Sequence, residues 1–148
     1  GDKGKMVTIA TPDGEADAYF THPSSGKHPA VLIWPDIRGL RPAFRQMADR
    51  LAGEGYAVLA LNPFYRDAKG EVVKPEDDWT QPATRERLFG YAGKLTREAV
   101  ARDATALAAW LDQQKAVDSK RGMGVTGYCL GGPFTIFSAA AVPERYKA

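Results

Sequence analysis

Two five-residue runs, Ala30–Trp34 (AVLIW) and Ala57–Leu61 (AVLAL), are apolar at every position. A strand with one wet face alternates, so an unbroken apolar run predicts a strand covered on both faces, as in a parallel sheet. Between them, Phe44, Met47, Ala48, Leu51 and Ala52 recur at helical spacing, with Pro42 near the start and Gly53 and Gly55 at the close. Ala30–Leu61 therefore reads as a strand–helix–strand unit with a right-handed crossover. Upstream, MVTIA and ADAYF flank a Pro-Asp-Gly turn and predict a hairpin from Met6 to Phe20.

Downstream, Asn62–Trp79 is polar and irregular. Helical signals return at Pro82, and Val100, Ala104, Leu107, Ala108 and Leu111 mark one face of a long helix from about Thr96 to Gln114. GMGVTG predicts a short third buried strand and GGPFTIFSAAAV a following helix. This order is that of an α/β chain with a mostly parallel sheet flanked by helices. No repeat or linker divides it, and 148 residues suffice for one domain with one core.

Charge and composition narrow the function classes. The net charge is +2, and the most basic stretch, IRGLRPAFR, spreads three arginines over nine positions. That is a solvated face or an anion-binding mouth, not a nucleic-acid stripe. No apolar run nears the ~20 residues of a membrane span, and the N-terminus carries no signal-peptide core. A cytoplasmic protein with no membrane or nucleic-acid partner is expected. One cysteine excludes an internal disulfide or a thiolate metal cluster. His22 and His28 flank a Pro-Ser-Ser-Gly loop and read as exposed loop residues, so no metal or cofactor is expected.

That cysteine, Cys129, sits in GVTGYCLGGPFT, between a predicted strand and a predicted helix. Gly127 and Gly131 flank it at two residues on either side. This is the context of a nucleophile elbow, in which the turn is too tight for side chains at the flanking positions. The sulfur would stand at the carboxyl end of the sheet and at the positive end of a helix dipole, which favours an anion. The alternative is a buried structural thiol.

GYCLGG, together with WPDIRGLRPAFRQMADRLAGEGYAVLALNPFYR, resembles the dienelactone hydrolase family of α/β-hydrolases. The resemblance runs over nearly the whole chain. It implies the α/β-hydrolase fold and hydrolysis of an ester or enol-lactone, dienelactones being the best-known substrates. Cys129 would be the nucleophile and form an acyl-enzyme. The oxyanion hole would be the N–H groups of Leu130 and of Ile37, although Ile37 can equally be ordinary packing. Asp36 matches a family acid that holds the resting thiol until substrate arrives; here it is shorter than the usual Glu, and a plain turn residue is the alternative. Arg85 matches a family arginine that reads a substrate carboxylate, with Arg87, Arg66 and Arg38 as rivals. Trp79, Phe64 and Tyr65 could wall a pocket or fill the core.

No base for Cys129 is evident. In this fold the acid and histidine follow the nucleophile in the chain, yet both histidines precede the first buried strand and only 19 residues follow Cys129. The expectation is therefore the N-terminal part of one α/β-hydrolase domain, spanning residues 1–148, whose partner is a C-terminal segment in the same or a separate chain. The expected ligand is a small, anionic ester or lactone. Two other readings remain at this point: a generalist carboxylesterase of the same family, and a non-catalytic binding fragment.

Overall fold

In the computed structural model, which describes residues 4–148, the predicted hairpin is β1 (Lys5–Thr11) and β2 (Gly14–Thr21). The strand–helix–strand unit is β3 (Ala30–Trp34), α1 (Pro42–Gly53) and β4 (Ala57–Leu61). Helices α2 (Pro82–Ala92) and α3 (Arg97–Asp112) follow, then β5 (Gly124–Gly127) and α4 (Gly132–Ala141). The strands form one sheet in the order β1-β2-β4-β3-β5. The hairpin joins β4 antiparallel, through pairs such as Ala18 with Leu61, whereas β4, β3 and β5 are parallel.

The unbroken apolar runs now have their physical reason. Leu32, Trp34, Leu59 and Leu61 pack on one face with Val100, Ala104, Leu107 and Leu111 of α3. Ile33, Val58 and Ala60 pack on the other with Phe44, Ala48 and Ala52 of α1. Neither face meets water, so neither can carry polar residues. Pro42 opens α1, where its missing N–H costs nothing. Thr96 caps α3 by accepting a hydrogen bond from the Ala99 N–H at 3.1 Å.

One element departs from expectation. β5, predicted as buried, is half-exposed at all four positions. β3 covers one of its edges. Among the described residues, the other edge and Met123 just before it meet the C-terminal residues: Met123 N–H donates to the Arg145 carbonyl at 2.6 Å, Lys147 N–H to the Met123 carbonyl at 2.8 Å, and Val125 N–H to the Ala148 carbonyl at 2.6 Å. In α4, Phe134 and Ser138 are buried but Ile136 is 68% exposed.

Candidate active site

The site begins where β5 ends. Tyr128 is extended, and its N–H donates to the Trp34 carbonyl of β3 at 3.2 Å. The chain then turns sharply at Cys129, whose φ of 55° makes it the one non-glycine residue with positive φ among the described residues. A left-handed L-residue is strained by about 1–2 kcal/mol, and such strain persists only where the surroundings impose it. The two glycines allow it. A Cβ on Gly127 would run into the Gly131 carbonyl, and one on Gly131 would lie 2.5 Å from the Trp34 carbonyl oxygen. The thiol is exposed, and the 3₁₀ turn that carries it, Cys129–Gly131, leads straight into α4.

α4 is tied to β3 from within. The buried Trp34 Nε1–H donates to Ser138 Oγ at 3.0 Å, and the Ser138 hydroxyl donates to the Phe134 carbonyl at 2.7 Å. The Trp34 and Phe134 rings meet edge to face, 5.3 Å between centroids. This fixes the cysteine turn against the loop that leaves β3.

That loop is a rigid turn. Gly39 N–H donates to the Asp36 carbonyl at 2.9 Å and Arg38 N–H to Asp36 Oδ1 at 3.0 Å. The N–H groups of Ile37 and Leu130 have no acceptor among the described residues. Leu130 follows Cys129 within the 3₁₀ turn, and Ile37 lies in the loop that leaves β3. Arg41 grips both oxygens of Asp36, at 2.6 and 3.0 Å. Burial works against the Asp36 charge, but Arg41 and the Arg38 N–H outweigh it and hold the carboxyl below its usual range. Asp36 is thus engaged by a guanidinium, a partner its sequence context did not reveal.

The four arginines separate into two kinds. Arg66 makes a forked pair with the buried Asp103, at 2.9 and 3.0 Å, and also bonds Asp13. Arg87 pairs with Asp77 at 2.8 Å and donates to the Val72 carbonyl. Both are fasteners of the Asn62–Trp79 segment. Arg85 donates through Nη1 to the carbonyls of Trp79 and Thr80, at 2.9 and 3.0 Å, and Arg38 lies over the Trp79 ring at 5.6 Å. Neither forms an ion pair among the described residues. Phe64 and Tyr65 are core residues, Tyr65 donating to Asp103 at 2.6 Å; Trp79 is half-buried.

The histidines lie at the opposite end of the sheet. His28 precedes β3, and His22 follows β2 beside the start of β4, where Thr21 pairs with Val58. Cys129 follows the far end of β5, which is parallel to β3. The length of β3, four steps of ~3.3 Å or about 13 Å, separates them. His22 Nδ1 and His28 Nε2 instead bond the carbonyl oxygens of Pro23 and Ser25, each at 2.7 Å. No cluster of three potential metal-ligating side chains occurs among the described residues, and no helix among them is long and apolar enough to cross a membrane.

The model of the dienelactone hydrolase family matches residues 16–148. The chain belongs to this family. Among its relatives, carboxymethylenebutenolidase of Rhodococcus opacus is 30% identical over 131 residues, which cover 87% of this chain and 46% of the relative. A solved dienelactone hydrolase-like promiscuous phosphotriesterase from metagenomic libraries superposes with a TM-score of 0.68 at 26% identity, covering 93% of this chain and 54% of that one. An α/β-hydrolase from Penicillium sp. sh18, TM-score 0.66 at 20% identity, covers 93% of this chain and 41% of its own and shares the fold. The chain spans about half the length of the curated relatives it matches. It is a hydrolase-family chain with the α/β-hydrolase fold.

Proposed function

We propose that the protein containing this chain hydrolyses a small ester or enol-lactone of the dienelactone type, with Cys129 as nucleophile. The observation that carries this reading is the left-handed backbone at Cys129, held between two glycines whose replacement would collide with backbone. A merely structural thiol needs neither strain nor exposure.

The thiolate adds to the substrate carbonyl, forming the C–S bond and moving an electron pair onto oxygen. The N–H groups of Leu130 and Ile37 receive that oxyanion. Collapse breaks the C–O bond: the alcohol of an ester leaves, whereas the enol oxygen of an opened lactone stays tethered in the acyl group, and in either case that oxygen takes up a proton. Water then adds to the thioester, breaks the C–S bond and releases the acid. Asp36, at the base of the oxyanion loop, is the candidate gate for the resting thiol; release from Arg41 is what that role would require.

The proton carriers are a histidine and an acid supplied by a C-terminal segment, in the same or a separate chain. Two observations support this: both histidines of the chain lie at the wrong end of the sheet, and the curated relatives are about twice as long. Arg85 is the candidate reader of an anionic substrate group, because Arg66 and Arg87 are bound to aspartates. The test is Cys129→Ala in the full-length protein. Ester turnover should vanish while the fold is kept; substantial residual turnover in the purified variant overturns the nucleophile assignment.

A further inference from the structure

Helix α1 opens on an unsuitable residue. Its N-cap position is Arg41, whose side chain makes no cap hydrogen bond, and its first turn holds no acidic residue. The residues preferred at an N-cap carry an oxygen that accepts from the free N–H groups of the first turn. A guanidinium can only donate, and its charge meets the positive end of the helix dipole. Helix stability therefore does not account for Arg41, and a residue that breaks a local rule needs a reason elsewhere.

That reason lies in what the guanidinium reaches. It turns back over the loop after β3 and closes it. Nη1 and Nη2 fork onto the Asp36 carboxylate at 2.6 and 3.0 Å, and Nη1 also donates to the Gly39 carbonyl at 3.0 Å. Both ends of the Asp36–Gly39 turn are thus held by one side chain, with Ile37 between them. The same guanidinium lies 5.0 Å from the centroid of the buried Phe44 ring, and that ring meets Tyr128 at 5.5 Å. Tyr128 directly precedes Cys129. Arg41 therefore spans both halves of the site, by hydrogen bonds to the Ile37 loop and by an aromatic pair to the cysteine turn. A forked, charge-assisted bond fixes direction as well as distance.

We propose that Arg41 is a positioning residue of the hydrolysis: through its fork on Asp36 it fixes the loop that aims the Ile37 N–H at the developing oxyanion. This rests on the ester-hydrolase reading and gives the Asp36–Arg41 pair a task within it. Oxyanion donors act by being aimed before charge develops, and a misplacement of about 1 Å can cost on the order of 10²-fold in rate. Holding the loop and holding the resting thiol are alternative uses of the same carboxylate, and they respond differently to loss of Arg41.

The test uses Arg41→Ala, Arg41→Lys, Asp36→Ala and the Arg41→Ala/Asp36→Ala double variant in the full-length protein. Two reactions of Cys129 are compared. Hydrolysis of 4-nitrophenyl butyrate, a neutral ester, passes through an oxyanion, and its kcat/KM reports the acylation half. Alkylation by iodoacetamide is a displacement that forms no oxyanion; it is followed to its high-pH plateau, where the thiol pKa drops out. Arg41→Ala should lower kcat/KM roughly tenfold or more and change the plateau alkylation rate less than about twofold. Arg41→Lys should recover part of the loss, because charge returns without the fork. Asp36→Ala should show a similar loss, and the double variant no more than the larger single loss, because the two residues act as one unit. Equal falls in both reactions, as when a freed Asp36 holds the thiol, additive losses, or an unchanged kcat/KM overturn the proposal and leave the hydrolase reading intact. A wild type whose Cys129 alkylates but which turns over no ester sinks the hydrolase reading instead. Hydrogen exchange then reads the loop without turnover, at the Arg38 and Gly39 amides that bond Asp36. Exchange roughly tenfold faster in Arg41→Ala upholds the loop-fixing part, and unchanged exchange overturns it.

Discussion

Replacing Cys129 by glycine and by alanine removes the same thiol but leaves different backbones. Alanine keeps the left-handed strain at φ 55°; glycine relieves it. The relief is about 1–2 kcal/mol. Against it stands the extra freedom of glycine in the unfolded chain, about 0.4–1 kcal/mol. Because Cys129 is exposed, neither change forfeits buried packing. The glycine variant should therefore be more stable than the alanine variant by about 1 kcal/mol. At roughly 2–4 °C per kcal/mol for a domain of this size or somewhat larger, the expected difference in Tm is a few degrees. Urea midpoints and calorimetric Tm of both full-length variants, run beside the wild type, measure it. Both variants should be inactive, so chemistry and strain are separated. A glycine variant equal to or less stable than the alanine variant would refute the claim that the turn imposes strain for the sake of the thiol.

Ser138→Ala in the full-length protein should cost about 1–3 kcal/mol, because it leaves the buried Trp34 indole N–H without an acceptor; a denaturant midpoint checks this, and Ser138→Thr should cost less if the threonine hydroxyl keeps the contact. Asp13 sits between Arg102 and Arg66, and the Arg102 hydrogen bond, opposed by partial burial and reinforced by Arg66, lowers its pKa to about 2. A depressed carboxyl stabilises the fold above its unfolded value near 4, and that contribution disappears as pH falls through about 2. The stability gap between wild type and Asp13→Asn should accordingly be full at pH 5 and close towards pH 2, and a gap that stays constant across that range would remove Asp13 from the account.

How far the sequence speaks depends on the range of the interaction. The strands Ala30–Trp34 and Ala57–Leu61, helix α1 and the turn at Cys129 are local patterns, and each lies where its periodicity, proline or glycine placed it. The half-exposure of β5 was not legible, because a strand's rank in a sheet depends on what pairs with its far edge. GVTG carries no mark of that. The Arg41–Asp36 fork and the Arg66–Asp103 pair were also hidden. In the sequence Asp103 is one polar residue between Val100 and Ala104 on an apolar face, and only the fold shows that it is buried with a guanidinium reaching it from 37 residues upstream. The same limit explains the arginines. Arg85, Arg87, Arg66 and Arg38 look alike in one dimension, and the aspartates that commit two of them to structure are distant in the chain or ambiguous in it.

In the proposed reaction Cys129 carries the acyl group. Rapid acid quench of the full-length protein turning over an activated ester, followed by intact-mass measurement and peptide mapping, tests it directly. The expected result is a transient mass increase equal to the acyl group, confined to the peptide containing Cys129 and absent from Cys129→Ala. Turnover with no adduct on that peptide, or an adduct that persists in Cys129→Ala, would contradict it.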